Sequence, residues 1–303
     1  MIDIVIVNWN AGKLLQDCVE SIFSANNEQL VSKVIIIDNN SNDQSLSPIP
    51  DNPKIKIIHN SRNEGFAKAC NQGFKIATAK YVLLLNPDTR LFTNTLPDCI
   101  KYMEGHPETD ILGCQLLNEK NSVLPSCSRF PQPYRFLTDA LGLFKIFPKI
   151  FKPSLVMEDW DHKSSRYVDQ VMGAFMFMRN EIFEKVGYFD ERFFVYMEEV
   201  DFSKRLAEMG GKTWFDADIQ SFHLGKGTTA SVTAFRLFLS LRSQLLYARK
   251  HFSLPGQAIM FLASFIIQPF SRTFFHLLKG DFREIGNTWK GYFYFLRNPI
   301  KNM

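Results

Sequence analysis

Tyr81-Val82-Leu83-Leu84-Leu85-Asn86-Pro87-Asp88 is the stretch from which the rest of the chain is read. Its first five residues are uncharged and do not alternate with polar ones, which predicts a strand buried on both faces of a sheet covered by helices. The strand's carboxyl end delivers Asp88 to the sheet's edge, and in open α/β sheets ligands bind at that edge. A carboxylate fixed there suits a hard divalent cation.

Three further apolar runs, Ile2–Val7, Val34–Ile37 and Ile55–Ile58, predict strands of the same sheet. Leu14, Leu15, Cys18, Val19 and Ile22 recur at helical spacing, as do Phe66, Ala69, Cys70, Phe74 and Ala77, so helices between the strands can cover a parallel sheet. Each strand is followed by hydrogen-bonding groups: Asn8-Trp9-Asn10, Asp38-Asn39-Asn40-Ser41, Asn60-Ser61-Arg62-Asn63 and Asn86-Pro87-Asp88. Any one of these clusters is explained by turns and helix caps. Four of them converging on one rim predict a nucleotide site.

Composition sets the outer limits. The 303 residues are 46% hydrophobic and 14% aromatic, enough to bury a large core plus an appendage, which excludes a disordered chain. The five scattered cysteines form no C-x-x-C pair and so argue against a disulfide framework or a zinc site. A start on Ile2-Asp3-Ile4 without a basic and apolar leader fits a cytoplasmic protein. The net charge of +4 is unevenly held, because residues 232–303 carry ten Lys and Arg against Asp281 and Glu284. The remaining 25 basic and 29 acidic residues leave the first 231 at −4, so two regions with two tasks are expected, 1–231 and 232–303.

Tyr196-Met197-Glu198-Glu199-Val200-Asp201 opens a predicted helix whose buried face is Phe202, Leu206 and Met209 and whose end is Gly210-Gly211. Acids in a first helical turn are stabilised by the macrodipole, which suffices for Glu198 and Asp201. Glu199 follows the apolar Phe193-Phe194-Val195, and a carboxylate partly desolvated there can take a proton from an alcohol. Ile219–Phe222 predicts another strand, followed by His223-Leu224-Gly225-Lys226-Gly227-Thr228-Thr229. That loop can wrap a diphosphate with Lys226 while His223 joins Asp88 on a cation.

These motifs in this order, with Asn63-Glu64-Gly65-Phe66 and Asn71 and with Gly187–Glu191 before Tyr196–Asp201, resemble family 2 glycosyltransferases, most nearly the rhamnosyltransferase-like branch. The resemblance covers about residues 1–230. It implies a GT-A fold, an α/β nucleotide-binding sandwich with a mostly parallel central sheet, and inverting transfer of a sugar from a nucleotide diphosphate with Mg²⁺ or Mn²⁺. It assigns Asp38 to the base and ribose, with Asn8 and Trp9 lining that pocket and Asn63 and Asn86 beside the donor. Asp88 matches the last Asp of a D-x-D element whose first position is Asn86 here, so this element supplies one charged metal ligand. Glu199 falls where the family places its catalytic base, with Glu198 and Asp201 supporting it. The donor expected first is dTDP-rhamnose, with UDP-hexoses next. The acceptor is a glycan or lipid-linked hydroxyl in bacterial surface polysaccharide synthesis.

Other stretches stay open at this level. Val171–Met178 predicts one core strand, whose Gly173-Ala174 admits a sugar to the backbone or serves close packing. The proline- and aromatic-rich residues 126–169 show no periodicity, as either an acceptor loop or a variable connection would. Between His251 and Arg272 no charge appears, but Pro255, Gly256, Gln257, Gln268 and Pro269 interrupt the run and leave Ala258–Ile267 too short to span a bilayer. With its aromatics and flanking Lys and Arg, the region fits helices on the cytoplasmic face of the inner membrane; packing onto the body or a homo-oligomer contact would also account for the aromatics. No nucleic-acid-binding motif accompanies the basic residues. A nucleotidyltransferase, or a non-catalytic nucleotide-sugar-binding module at the membrane, are the competing readings.

Overall fold

The computed structural model describes residues 1–23, 27–225 and 233–298. Contacts divide the chain into two units, one of Met1–Ser128, Trp160–Glu191 and Glu198–Thr228, the other of Arg129–Asp159, Arg192–Met197 and Thr229–Met303.

The first unit carries the strands β1 (Ile2–Asn8), β2 (Val31–Asp38), β3 (Ile55–His59), β4 (Tyr81–Leu85), β5 (Thr89–Leu91), β6 (Ile111–Leu117), β7 (Val123–Leu124), β8 (Cys127–Ser128), β9 (Arg166–Val168), β10 (Gln170–Val171), β11 (Phe175–Arg179) and β12 (Thr213–His223). The main sheet runs β3-β2-β1-β4-β11-β6-β12-β5, with β7 on β6 and β9 on β12. It is mixed and mostly parallel: β3, β2, β1 and β4 are parallel neighbours, β12 is parallel to β6, and β11 enters antiparallel between β4 and β6. Every residue of β1 and β4 is buried, as unbroken apolar strands under helices require.

Helices α1 (Lys13–Ile22), α2 (Phe66–Phe74) and α3 (Thr95–Gly105) connect these strands. Leu15, Cys18, Val19 and Ile22 form the buried face of α1, as their spacing predicts. α2 lies very close to β1, since a Cβ on Gly73 would sit 2.4 Å from Val5 Cγ1. The sequence pattern does not signal the buried charge of Asp3, within β1, which accepts hydrogen bonds from the backbone N–H of Thr78 (2.6 Å) and Ala79 (2.9 Å) and so fixes the turn that leads into β4.

Two expectations for this unit are corrected. Val171–Met178 is not one strand, because Gln170–Val171 pairs with Cys127–Ser128 in a separate two-stranded ladder and the chain re-enters the main sheet only at Phe175. The intervening Met172-Gly173-Ala174 turn carries site geometry. After α6 (Ile182–Val186), α7 (Glu198–Glu208) buries Val200, Phe202, Ser203 and Leu206, but Met209 lies beyond the helix and is 62% exposed. The helix ends one residue too soon to turn Met209 inward.

The second unit is helical, with α4 (Pro133–Ala140), α5 (Leu143–Ile146), α8 (Thr233–His251), α9 (Leu254–Leu278) and α10 (Phe282–Arg297). Part of the stretch without periodicity therefore folds as α4 and α5. Phe136, Ala140, Ala248, Met260 and Ala263 form a small core between α4, α8 and α9. The apolar C-terminal run is not interrupted as expected. Leu254–Leu278 is one continuous helix of 25 residues, with a mean hydropathy of 1.4 over its most apolar 18 residues, long and apolar enough to cross a membrane by length and composition. Pro255 sits in its first turn, where a missing N–H is tolerated, and a π-helical stretch, Leu262–Ile267, adjusts the backbone ahead of Pro269.

Candidate active site

Strand register builds the rim. Asn8 pairs with Asp38 across β1 and β2, and Val5 pairs with Leu84 across β1 and β4, so Asp38, Asn8 and the Asn86-Pro87-Asp88 turn end three neighbouring strands at one level. The Asp38 carboxylate is 5% exposed and held from two sides, by the amide of Asn8 (Nδ2 to Oδ1, 2.9 Å) and by the Ser41 N–H (3.3 Å). Asn8 is fully buried and its amide also donates to the hydroxyls of Ser41 (3.1 Å) and Ser45 (2.8 Å). It therefore stands behind Asp38 and fixes it, rather than lining a pocket wall, and Trp9 beside it is half-buried.

Asn39 is a site-shaping residue that the sequence reading passed over. Its amide donates to Asn63 Oδ1 (2.9 Å) and the Gly65 carbonyl (3.2 Å), and its Oδ1 accepts from Asn60 Nδ2 (3.1 Å) and the Glu64 N–H (2.9 Å). Asn63 accepts in turn from the Gly65 N–H (2.9 Å), so these asparagines tie the loop after β3 to the end of β2. Runs of Asn after strands signal such networks, but which Asn is the hub depends on pairing between strands distant in sequence.

Asp88 and His223 come together because β12 runs antiparallel to β5. His223 pairs with Thr89, the Leu224 N–H donates to the Asp88 carbonyl (3.1 Å), and the side chains then meet with His223 Nε2 3.3 Å from Asp88 Oδ1. Both residues are buried. A buried carboxylate oxygen and an imidazole nitrogen brought this close are donor types that a divalent cation would accept. Among the described residues no third His, Cys, Asp or Glu completes a cluster with them. Lys226 and the rest of the expected diphosphate loop, Gly227 to Thr229, lie outside the described residues.

The turn between β10 and β11 carries the next group. The Asn86 N–H donates to the Ala174 carbonyl (3.1 Å), which also accepts from Thr89 Oγ1 (3.3 Å), and one residue away the Gly173 N–H donates to the carboxyl of Glu199. Asn86 is half-buried. A Cβ on Gly173 would meet its nearest neighbours at 3.6 and 3.8 Å, ordinary contact distances, so packing does not require glycine there.

Glu199 is the second residue of α7, which follows two non-glycine residues with positive φ, Tyr196 (69°) and Met197 (72°), a strained approach of the sort that accumulates at functional sites. Its residue is half-buried, but Oε2 is sealed from solvent and meets no hydrogen-bond donor among the described residues. Burial pushes the Glu199 carboxyl above its usual range; a hydrogen bond from its own backbone N–H, a proton shared with the buried Glu198 carboxyl and a hydrogen bond from the Gly173 N–H only partly offset that. A proton is thus held more firmly here than on an ordinary glutamate, the property a general base needs. Asp201 has a different place. It is fully buried and pairs with Arg205 (3.0 Å), whose other nitrogens donate to the carbonyls of Val186 and Tyr188, so it anchors α7 to the body.

The model of the family described as "Glycosyl transferase family 2" matches residues 3–164. An N-acetylglucosaminyl-diphospho-decaprenol L-rhamnosyltransferase of Mycobacterium tuberculosis is 27% identical over 223 residues, covering 69% of this chain and 71% of that protein. Rhamnosyltransferase WbbL of Escherichia coli K12 is 29% identical over 180 residues, 58% of this chain and 65% of WbbL. Among solved structures, the mannosyltransferase PcManGT of Pyrobaculum calidifontis, in complex with GDP-Man and Mn²⁺, superposes with a TM-score of 0.56 at 12% identity, covering all of this chain and 76% of that one. GalNAc-T7 with UDP, GalNAc and Mn²⁺ gives a TM-score of 0.58 at 15% identity over 82% of this chain and 47% of that one.

Proposed function

The chain belongs to glycosyl transferase family 2, and we propose that it moves L-rhamnose from dTDP-rhamnose onto a hydroxyl of a glycan or lipid-linked acceptor, inverting the anomeric centre. Its fold is GT-A and it is a glycosyltransferase; the donor, the acceptor and the residue roles that follow are our reading. The observation that carries it is the rim itself, where a fixed carboxylate at Asp38, the Asp88–His223 pair and the desolvated Glu199 are joined through adjoining strand ends and the Gly173 turn. The rhamnosyltransferases among its relatives support the choice of sugar.

In this reading Asp38 accepts hydrogen bonds from the base and ribose, and Asn8 holds it in position. Asp88 and His223 would hold Mg²⁺ or Mn²⁺, which when bound neutralises charge on the departing diphosphate. Glu199 takes the proton of the attacking hydroxyl as the new bond to the anomeric carbon forms and the bond to the diphosphate breaks. Glu198 and Gly173 keep that carboxyl aimed. A general base of this kind contributes about 10²–10⁴ in rate. One displacement inverts the configuration, whereas retention would need a second carboxylate acting on the sugar. We place the catalytic work in residues 1–231 and attachment to the cytoplasmic face of the membrane in 232–303.

The reading is tested by offering dTDP-rhamnose and UDP-hexoses in parallel, with a polyprenyl-diphosphate-linked sugar as acceptor, and determining product and anomeric configuration by NMR. Inverted rhamnosyl transfer is the expected result. Preference for a UDP-hexose would change the donor, and tight donor binding with no transfer to any acceptor would turn the protein into a binding module.

A further inference from the structure

The C-terminal helices present two unlike surfaces. Inward, α9 packs Met260 and Ala263 into the small core with Phe136, Ala140 and Ala248, and Tyr292 of α10 reaches back to the Ser264 carbonyl (2.6 Å). Gly291 lets α10 approach α8 closely, because a Cβ there would lie 2.9 Å from the Ala234 carbonyl oxygen. Outward, α9 exposes Phe270 (63%) and Phe274 (62%), and α10 exposes Phe282 (71%) and Leu296 (76%). Trp289 bridges the two helices, with its ring 5.7 Å from that of Phe270 and its Nε1 donating to Thr273 Oγ1 (3.1 Å). The exposed apolar surface is therefore continuous across both helices, the kind of patch that marks a partner.

Charge says which partner. On α10, Phe282, Trp289 and Leu296 recur every seventh residue, and each is followed by a basic residue, Arg283, Lys290 and Arg297. Seven residues are close to two helical turns, so an apolar stripe runs beside a basic stripe along the whole helix. All three basic side chains are exposed, and none has a carboxylate within 4 Å among the described residues. Arg297 lies over the ring of Phe293 (4.3 Å) and Lys279 over that of Phe275 (4.2 Å), cations resting on the edge of the apolar surface. Aromatic and aliphatic side chains beside unpaired cations complement the acyl boundary and headgroups of an anionic bilayer.

We infer that α9 and α10 together lie flat in the surface of an anionic membrane, Phe270, Phe274, Phe282, Trp289 and Leu296 entering the acyl boundary while Arg283, Lys290 and Arg297 meet lipid phosphates. This deepens the attachment proposed above and does not depend on the sugar or the acceptor. Although α9 is long enough to span, its one packed side and the polar Gln257, Gln268 and Arg272 argue for a helix wetted by lipid on one side only.

The test is flotation of the full chain with vesicles of phosphatidylcholine alone or mixed with phosphatidylglycerol. Binding is expected to the mixed vesicles and to be released by high salt. The exposed triple variant Arg283→Gln, Lys290→Gln, Arg297→Gln should bind the mixed vesicles on the order of 100-fold more weakly at an unchanged melting temperature. Trp289→Glu should lose binding even at low salt. Salt-resistant binding that the triple variant retains would overturn the inference in favour of a spanning helix. Absence of vesicle binding together with a dimer in sedimentation, abolished by Trp289→Glu, would instead give the face to a second copy of the chain. Sugar transfer to a water-soluble acceptor analogue, measured on the same variants, separates the two readings: its persistence without lipid binding overturns only the membrane face, and its absence with lipid binding overturns only the proposed transfer.

Discussion

At Glu199 the site trades stability for function, and the trade has a sign. Burial raises its carboxyl above the ordinary 4.5, so the folded protein holds this proton more tightly than the unfolded chain does. The favourable contribution is complete below about pH 4.5 and is lost as pH rises through the raised value. Glu199→Gln, neutral at every pH, should therefore melt above the wild type at pH 7.5, with the gap closing towards pH 4 in thermal scans; a lower melting point at pH 7.5 would mean that Glu199 is a structural ion. Asp88 and His223 make the complementary case. Asp88→Ala should abolish metal-stimulated transfer and weaken Mn²⁺ binding in a calorimetric titration while leaving the melting temperature in place, and undiminished stimulation would remove Asp88 from the metal.

Among the elements, α2 and α7 carry the most specific expectations. The approach of α2 to β1 leaves no space for a methyl group at Gly73, so Gly73→Ala should destabilise the fold by about 1–3 kcal/mol in urea titrations. Asp201→Ala would strand the Arg205 guanidinium among carbonyls, at a stability cost of about 3 kcal/mol. If instead Asp201 served the chemistry directly, the same change would lower turnover at an unchanged denaturation midpoint. The strands were the most legible elements, Tyr81–Leu85 falling on its expected bounds and β1, β2 and β3 within a few residues; β1 and β4 are fully buried and unbroken in hydrophobicity, whereas β3, at the sheet's edge, has no buried residue and shows itself by its isoleucines alone. The Met172-Gly173-Ala174 break was not legible, since nothing local separates a strand that continues from one that changes its partner. Continuous helix across Pro255 and Pro269 was hidden for a related reason: proline disfavours helix locally, and packing against α4 together with a π-helical stretch overrides it.

For the whole molecule, what the sequence disclosed was chemistry arranged in order, and what it withheld was the pairing that brings that chemistry together. The rim could be anticipated from polar clusters at strand ends, but the 3.3 Å meeting of Asp88 with His223 requires β12 to run antiparallel to β5, a contact across more than a hundred residues. Asn8 shows the same limit, since its place behind Asp38 depends on the parallel register of β1 and β2. The charge division between residues 1–231 and 232–303 was visible in composition alone, whereas the grouping of α4 and α5 with the C-terminal helices was not. If this rim transfers a sugar with Glu199 as its base, turnover and donor affinity of Glu199→Gln, measured beside the wild type with dTDP-rhamnose, must part company. kcat should fall by about 10²–10⁴ while the donor Kd stays within a factor of about two; equal losses in both, or turnover that survives the substitution, would remove Glu199 from the chemistry.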